Sequence, residues 1–358
     1  MAAKSKITSP DSPVLDELCR ELAARTDALD LSGDWPAEQF RLLGAYGVYE
    51  WFLPKEWGGQ QWSEVDCIRG YLRLSEACLT TTFVLTQRTG ACQRIADGDS
   101  PRKAELLPPL VSGESFATVG ISHLTTSRQH LGRPALAARE TGGGFELDGF
   151  SPWVTGGTNA DAIVTGATLD DGRQILAVVP TDLPGVSADP PARLVGLSAS
   201  HTGAVHFKNV MIEHDLLLGG PIENVMARGI GGNTGGLQTS TLAIGLARAA
   251  IAFLENEAVK REDLGEPTAA LARDAARAAD DLLALAAGSA SCTQQDLRYR
   301  ANSLALRATQ AALTAAKGAG YVAGHPAGRW CREALFFLVW SCPQPVAAAA
   351  LCDLAGLG

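Results

Sequence analysis

Asp148-Gly149-Phe150-Ser151-Pro152-Trp153-Val154-Thr155-Gly156-Gly157 is the stretch on which the fold turns. It lies among short, partly alternating segments rich in β-branched residues: SFATVGI, ALAARE, GFELDGF, DAIVTGAT, QILAVVP and AVHFKNVMI. These occupy the chain from about Glu114 to Leu218. Gly142 to Gly144, Asp170-Asp171-Gly172 and Asp182-Leu183-Pro184-Gly185 separate them, which is the punctuation of hairpins and sandwiches. Strand and helix patterns do not alternate here, so a parallel dinucleotide-binding sheet is a poor reading despite 38 glycines.

On the N-terminal side, residues 12–113 read as mostly helical. Val14, Leu15, Leu18, Leu22 and Leu29 recur at helical spacing with charges between them. Trp35-Pro36 precedes a second apolar stripe through Phe40, Leu43 and Val48, with Gly44 and Gly47 near its end. The turn cluster Leu53 to Gly59 (LPKEWGG) punctuates the chain. A further helical stretch runs through CIRGYLRLSEACLTTTFVLT, with Pro101, Pro108 and Pro109 as boundaries. On the C-terminal side, beyond Gly229 to Gly236 (GIGGNTGG), the chain turns Ala-rich. Residues 238–262 and 266–287 suit two long helices, the first ending near the Gly265–Pro267 turn. A third spans roughly 293–317, and Pro326, Pro343 and Pro345 divide the remainder.

The expected architecture is therefore α+β and multi-domain. It comprises an N-terminal helical domain (1–113), a central antiparallel β domain of barrel-like or sandwich type (114–220) and a C-terminal helical bundle (221–358).

A net charge of −9 argues against a nucleic-acid surface or an anionic membrane as partner. No apolar run approaches the roughly 18 residues of a membrane span. The opening MAAKSKITSPDSPVLDEL has no apolar core of a signal peptide. The eight cysteines (Cys19, Cys67, Cys78, Cys92, Cys292, Cys331, Cys342, Cys352) show no metal-ligand spacing and read as free, buried thiols. A soluble, cytoplasmic protein without a metal site is the expectation.

Six motifs in order, over residues 35–342, resemble the acyl-CoA dehydrogenase family. LPKEWGG resembles that family's Pro-x-x-x-Gly-Gly turn, and VSGESFATVGIS its lead-in to the β domain. DGFSPWVTGG resembles the strand that faces the flavin. VGLSASHTGAVHFKNVMIEHDLLLG resembles the closing strands. IGLARAAIAFLENEAVKREDLGEP resembles the long helix ending in Arg-x-x-Phe-Gly, with Arg261 and Gly265 matching. AAKGAGYVAGHPAGRWCREA resembles the Gly-Gly-x-Gly-Tyr turn and its following Arg-Asp-Ala, with Lys317 replacing the first glycine and Glu333 the aspartate.

The resemblance implies FAD as cofactor. Trp153 would pack on the flavin ring, Thr155 would hydrogen-bond its reactive edge and Ser122 its pyrimidine side. Arg261 would hold the pyrophosphate of a neighbouring subunit, which implies a homodimer or homotetramer. Gly318 and Gly320 would let the backbone approach the adenylate half. The residues read by themselves leave plainer roles open: a strand-core tryptophan, a strand-end serine, a helix-end arginine and a helix C-cap.

The resemblance breaks at the base. Most of the family carry a catalytic glutamate nine residues beyond the arginine that matches Arg332, and that position here is Ser341. The alternative base position falls at about Gly235, and the family's Thr-Glu-Pro-x-x-Gly-Ser-Asp loop is replaced by SHLTTSRQ. No Asp or Glu lies between Glu333 and Asp353. An unaided serine is too weak a base. Cys342 would need a depressed pKa, with nothing cationic visibly beside it, and His123 titrates near neutrality in the flavin-side loop. Three readings follow: a dehydrogenase of an acyl thioester with an unconventional base, a flavin monooxygenase, or a non-catalytic homologue of an active subunit. The enzymes would take a small-molecule substrate, such as an acyl-CoA, and an electron-accepting flavoprotein or a flavin reductase as partner.

Overall fold

The computed structural model describes residues 4–125, 134–227, 236–289 and 292–357. The N-terminal part holds α1 (Pro13–Ser32), α2 (Ala37–Ala45), α3 (Glu64–Ala77), α4 (Leu79–Asp97) and α5 (Lys103–Ser112). Ser12 caps α1 by accepting from the Val14 amide, and the apolar stripe Leu15, Leu18, Leu22 and Leu29 is buried as its spacing requires.

The stretch read as one helix from Cys67 onward breaks at Cys78, which is extended (φ −156°, ψ 103°). No glycine or proline signals this. The Cys78 carbonyl accepts the Thr82 amide at 3.1 Å, which restarts the helix, and it also accepts from the Thr82 hydroxyl, while the Cys78 thiol donates to the Thr81 hydroxyl. Pro108 and Pro109, expected at a boundary, sit inside α5. The carbonyls they leave unpaired belong to Ala104 and Glu105, which are exposed and can be hydrated.

The central part contains β1 (Ala117–Gly120), the one-turn α6 (Ser122–Thr125), β2 (Leu136–Thr141), β3 (Gly144–Thr155), β4 (Ala162–Thr168), β5 (Gln174–Pro180), β6 (Val186–Ala188), β7 (Thr202–Glu213) and β8 (Leu217–Ile222). The strand order is β6-β7-β3-β2-β4-β5-β8, with β1 on β4. The sheet is mixed rather than purely antiparallel: β1 runs parallel to β4, Ala117 opposite Ala162. That pairing is long-range, joining the strand after the helices to the sheet's middle, so hairpin punctuation does not reveal it. The sheet also runs past residue 220, because β8 pairs with β5 through Ile222.

The last part comprises α7 (Gly236–Ala258), α8 (Gly265–Ala286), α9 (Gln294–Gly320), α10 (Pro326–Ala334) and α11 (Gln344–Leu354). α7 ends at Ala258, earlier than its sequence suggests, and Gly265 opens α8 rather than closing a turn. Pro267 falls in the first turn of α8, where its missing N–H has no intrahelical partner to lose. Thr293 and Asp296 form a reciprocal capping box on α9. α3 joins this bundle: Ile68 and Leu72 pack in one apolar cluster with α7, α8 and α9.

α7 bears on the expectation that no segment spans a membrane. Among the described residues it is the one helix long and apolar enough to cross a membrane, yet 72% of that window is buried in the bundle. All eight cysteines are free; Cys19, Cys78 and Cys92 are buried, but Cys352 is exposed.

Candidate functional site

A cavity of about 1180 Å³ opens where α3, α4, β1, the end of β3, the start of β7 and of α7, and the segment after α10 meet. Ser122, Trp153, Thr155 and Ser341 all line it. The sheet places Thr155 opposite Thr202, the start of β7. Their hydroxyls bond at 3.0 Å, Thr202 bonds Ser200 Oγ at 2.8 Å, and the Thr118 hydroxyl donates to the Thr155 carbonyl. Trp153, by contrast, is 52% exposed although it is a large indole within a strand. The Ser122 hydroxyl oxygen is buried with no hydrogen-bond partner. A buried hydroxyl without a partner costs about 1–3 kcal/mol, so its occurrence in a cavity wall points to a ligand.

Three of the residues expected to hold the cofactor lie elsewhere. Arg261, Gly318 and Gly320 are absent from the cavity wall and gather instead at the end of α9. The Arg261 guanidinium donates to the Ala315 carbonyl at 2.8 Å and approaches Asp263 at 3.4 Å. A side chain on Gly318 would meet open space, whereas one on Gly320 would strike Ala316 and Leu313 at 2.7 and 2.9 Å. Gly320 is thus required by its own helix. Lys317 keeps a backbone suited to glycine, at φ 54° and ψ −147°.

The base candidates separate likewise. His123 turns away from the cavity that its neighbours Ile121, Ser122 and Thr125 line. Its Nε2 donates to the Gly166 carbonyl at 2.8 Å, and burial pushes its pKa down, holding it neutral. Cys342 is also outside the wall. Tertiary structure does bring a cation to it, Arg298 of α9, contrary to the sequence reading. Burial nonetheless outweighs Arg298 and raises the thiol. Burial likewise lowers Arg298 to about 10. Ser341 remains in the wall, in a left-handed backbone (φ 44°). Gly235 lies outside the described residues.

Sequence reasoning missed much of the wall. α4 contributes Phe83, Thr86, Gln87, Gly90, Gln93, Arg94 and Asp97. The signal was there, polar residues at helical spacing in an otherwise buried helix, but it reads as unremarkable without the cavity. Phe336 and Trp340 stack at 4.9 Å beside Ser341. Arg332 is held by Asp30 of α1 at 3.1 and 2.5 Å. Next to it Glu333, fully buried, pairs with Arg329 at 3.1 Å, and burial raises its carboxyl. The lining carboxylates among the described residues are Glu64 and Asp97, both exposed. Residues 126–133 and 228–235 contain no Asp or Glu in sequence.

Residues 14–114 match the family "Acyl-CoA dehydrogenase, N-terminal domain". The chain is 24% identical over 261 residues to probable acyl-CoA dehydrogenase YngJ of Bacillus subtilis (strain 168), covering 71% of this chain and 68% of the relative. It is 24% identical to the mitochondrial short-chain specific acyl-CoA dehydrogenase of Rattus norvegicus, covering 90% and 84%. Among solved structures, a glutaryl-coenzyme A dehydrogenase–glutaryl-CoA complex matches with a TM-score of 0.80 at 19% identity, covering 97% and 96%. A nitrososynthase from Micromonospora carbonacea var. africana matches over 100% of both chains, with a TM-score of 0.74 and 23% identity. The N-terminal match, the relatives along most of the chain and the fold from end to end agree: residues 14–114 match the acyl-CoA dehydrogenase N-terminal domain, and the chain as a whole is similar to acyl-CoA dehydrogenases and has their fold.

Proposed function

We propose that this chain is an FAD-dependent oxidoreductase that oxidises its substrate without a carboxylate base, as a flavin monooxygenase does. The observation that carries this reading is that Ser341, at the position the resemblance gives to the family's glutamate, stands in the cavity wall, whereas His123 and Cys342 do not line it. The fold does not choose the reaction, since glutaryl-coenzyme A dehydrogenase and nitrososynthase share it.

The wall suits a flavin. Trp153 presents a half-exposed aromatic face, Ser122 a buried hydroxyl in need of a partner, and Thr155 a hydroxyl tied to Thr202 and Ser200. FAD, when bound, supplies two-electron redox chemistry and, once reduced, activation of dioxygen. The chain's own part is to hold and shield. Trp153 would cover the ring, Ser122 and Thr155 would hydrogen-bond it, and Phe83, Phe336 and Trp340 would exclude water from the cavity beside Ser341. Ser341 offers a neutral hydroxyl there, which takes no proton from carbon at ordinary pH.

Arg261 and the α9 end lie apart from the cavity, which supports their use by a second subunit's cofactor and hence a homodimer or homotetramer. A cytoplasmic enzyme served by a flavin reductase completes the reading.

The test is anaerobic titration of the FAD-reconstituted protein with a panel of acyl-CoAs, followed by oxygen uptake with externally reduced flavin. An unbleached flavin band together with oxygen consumption supports the proposal. Bleaching by a thioester assigns dehydrogenase chemistry instead, and failure to bind FAD removes the flavin reading.

A further inference from the structure

The cavity wall beyond α10 is not regular α-helix. α10 ends at Ala334, Leu335–Leu338 form a 3₁₀ turn, and Ser341 takes a left-handed backbone (φ 44°). Pro343 and Pro345 account for the interruption. A helix running on would need their amides to close the carbonyls of Val339 and Ser341, and proline has no N–H to give.

The segment has two sides. Leu335, Phe336, Val339, Trp340 and Ser341 line the cavity, whereas Phe337 is fully buried in the apolar cluster of the bundle. Phe83 of α4, in the same wall, stands edge-on to Phe336 at 4.7 Å and to Trp340 at 5.0 Å. α9 reaches the segment's backbone instead, through two buried polar side chains one turn apart, Arg298 and Asn302. Asn302 Nδ2 donates to the Phe337 carbonyl at 2.9 Å. Arg298 Nη2 donates to the Trp340 carbonyl at 2.7 Å and lies 3.5 Å from the Ser341 carbonyl oxygen.

Packing alone does not explain the Asn302 amide. Its Oδ1 is buried with no hydrogen-bond partner among the described residues, a cost that a leucine of similar size would not carry. What leucine lacks is a donor for the Phe337 carbonyl. A hydrogen bond fixes a backbone in direction, which non-directional apolar contact does not.

We propose that Asn302 and Arg298 are positioning residues. Together they hold the 335–341 segment by its carbonyls in the placement that turns Phe336, Trp340 and Ser341 into the cavity, and so set the cavity's shape and water access beside Ser341. This rests on the cavity's being the flavin and substrate site of the oxidoreductase proposed above.

The test reads Trp340 directly, as the difference in near-ultraviolet circular dichroism between wild type and Trp340→Phe in flavin-free protein. Asn302→Leu and Arg298→Met are expected to lose most of that difference band, while the bands of the other tryptophans and a cooperative urea transition remain. Arg298→Lys, which still has a donor for the Trp340 carbonyl, is expected to keep most of it. In FAD-reconstituted protein the two disruptive variants are expected to show severalfold stronger quenching of flavin fluorescence by iodide. A lowered urea midpoint with the Trp340 band intact is what a merely structural role produces, and it overturns the proposal. A lost band with flavin quenching as in wild type overturns it too, as does equal loss in Arg298→Lys and Arg298→Met. If Asn302→Leu does not fold, the two Arg298 variants decide by the same readings. Failure of wild type to take up FAD counts against the flavin reading alone, since the Trp340 band in flavin-free protein still reads whether α9 sets the segment.

Discussion

Thr155 and Thr202 join their hydroxyls at 3.0 Å in the cavity wall, and the sheet register makes that meeting obligatory, because the two residues pair directly across β3 and β7. Thr202 extends the chain to Ser200 at 2.8 Å. Each hydroxyl both donates and accepts, so the row can reverse its direction and let Thr155 offer a bound ring either a proton or a lone pair.

Thr202→Val keeps the shape and cuts the row. It strands two buried hydroxyls, and stability is expected to fall by roughly 1–3 kcal/mol in urea unfolding. The FAD-reconstituted variant is also expected to show a shifted flavin absorption band. An unfolding midpoint and spectrum identical to wild type would show that the row has no energetic weight.

Trp153→Ala should lower folding stability by no more than roughly 2–3 kcal/mol, because the indole is 52% exposed and only about half of its surface is buried. Its expected effect is on the flavin: weaker retention through gel filtration. Unchanged occupancy would remove Trp153 from the cofactor wall.

Lys317→Gly should stabilise the protein. The lysine side chain is exposed, while its backbone (φ 54°, ψ −147°) lies near a region that glycine alone enters freely. Relief of roughly 1–3 kcal/mol of strain exceeds glycine's entropic cost of about 0.5–1 kcal/mol. A higher Tm by calorimetry is expected, and a lower one would refute the strain.

His123 sets a pH dependence. Burial depresses its folded pKa below the ordinary value of 6.5, so the unfolded chain binds the extra proton first. Its contribution is present above pH 6.5 and is lost as pH falls through the lower, folded value. His123→Gln can keep a donor for the Gly166 carbonyl and does not titrate. Urea midpoints at neutral and mildly acid pH should therefore fall further in wild type than in the variant. Equal losses would show that other groups carry the acid sensitivity.

The helix–strand–helix order was legible because it is written in local periodicity and in turns such as LPKEWGG, each of which a short window contains. The cavity was legible only where a motif marked it, at Ser122, Trp153, Thr155 and Ser341. Arg94 carries no local sign of its place in the cavity wall, for a polar residue on a helix looks alike whether it faces water or a cavity. Cys78 shows the same limit in the fold, since the helix breaks there at an extended residue (φ −156°) with no helix-breaking glycine or proline.

By itself the sequence determined the resemblance to acyl-CoA dehydrogenases, the order of elements and the lack of a carboxylate from Cys342 to Cys352, all properties of residue identity and spacing. Tertiary structure alone decided that Arg94 and Ser341 share one cavity, that His123 turns to Gly166, that Arg298 comes to Cys342 and that Arg261 rests on Ala315. The reason is physical. Where a polar side chain points, and what burial does to its charge, is set by partners far along the chain, brought together only when the apolar faces pack.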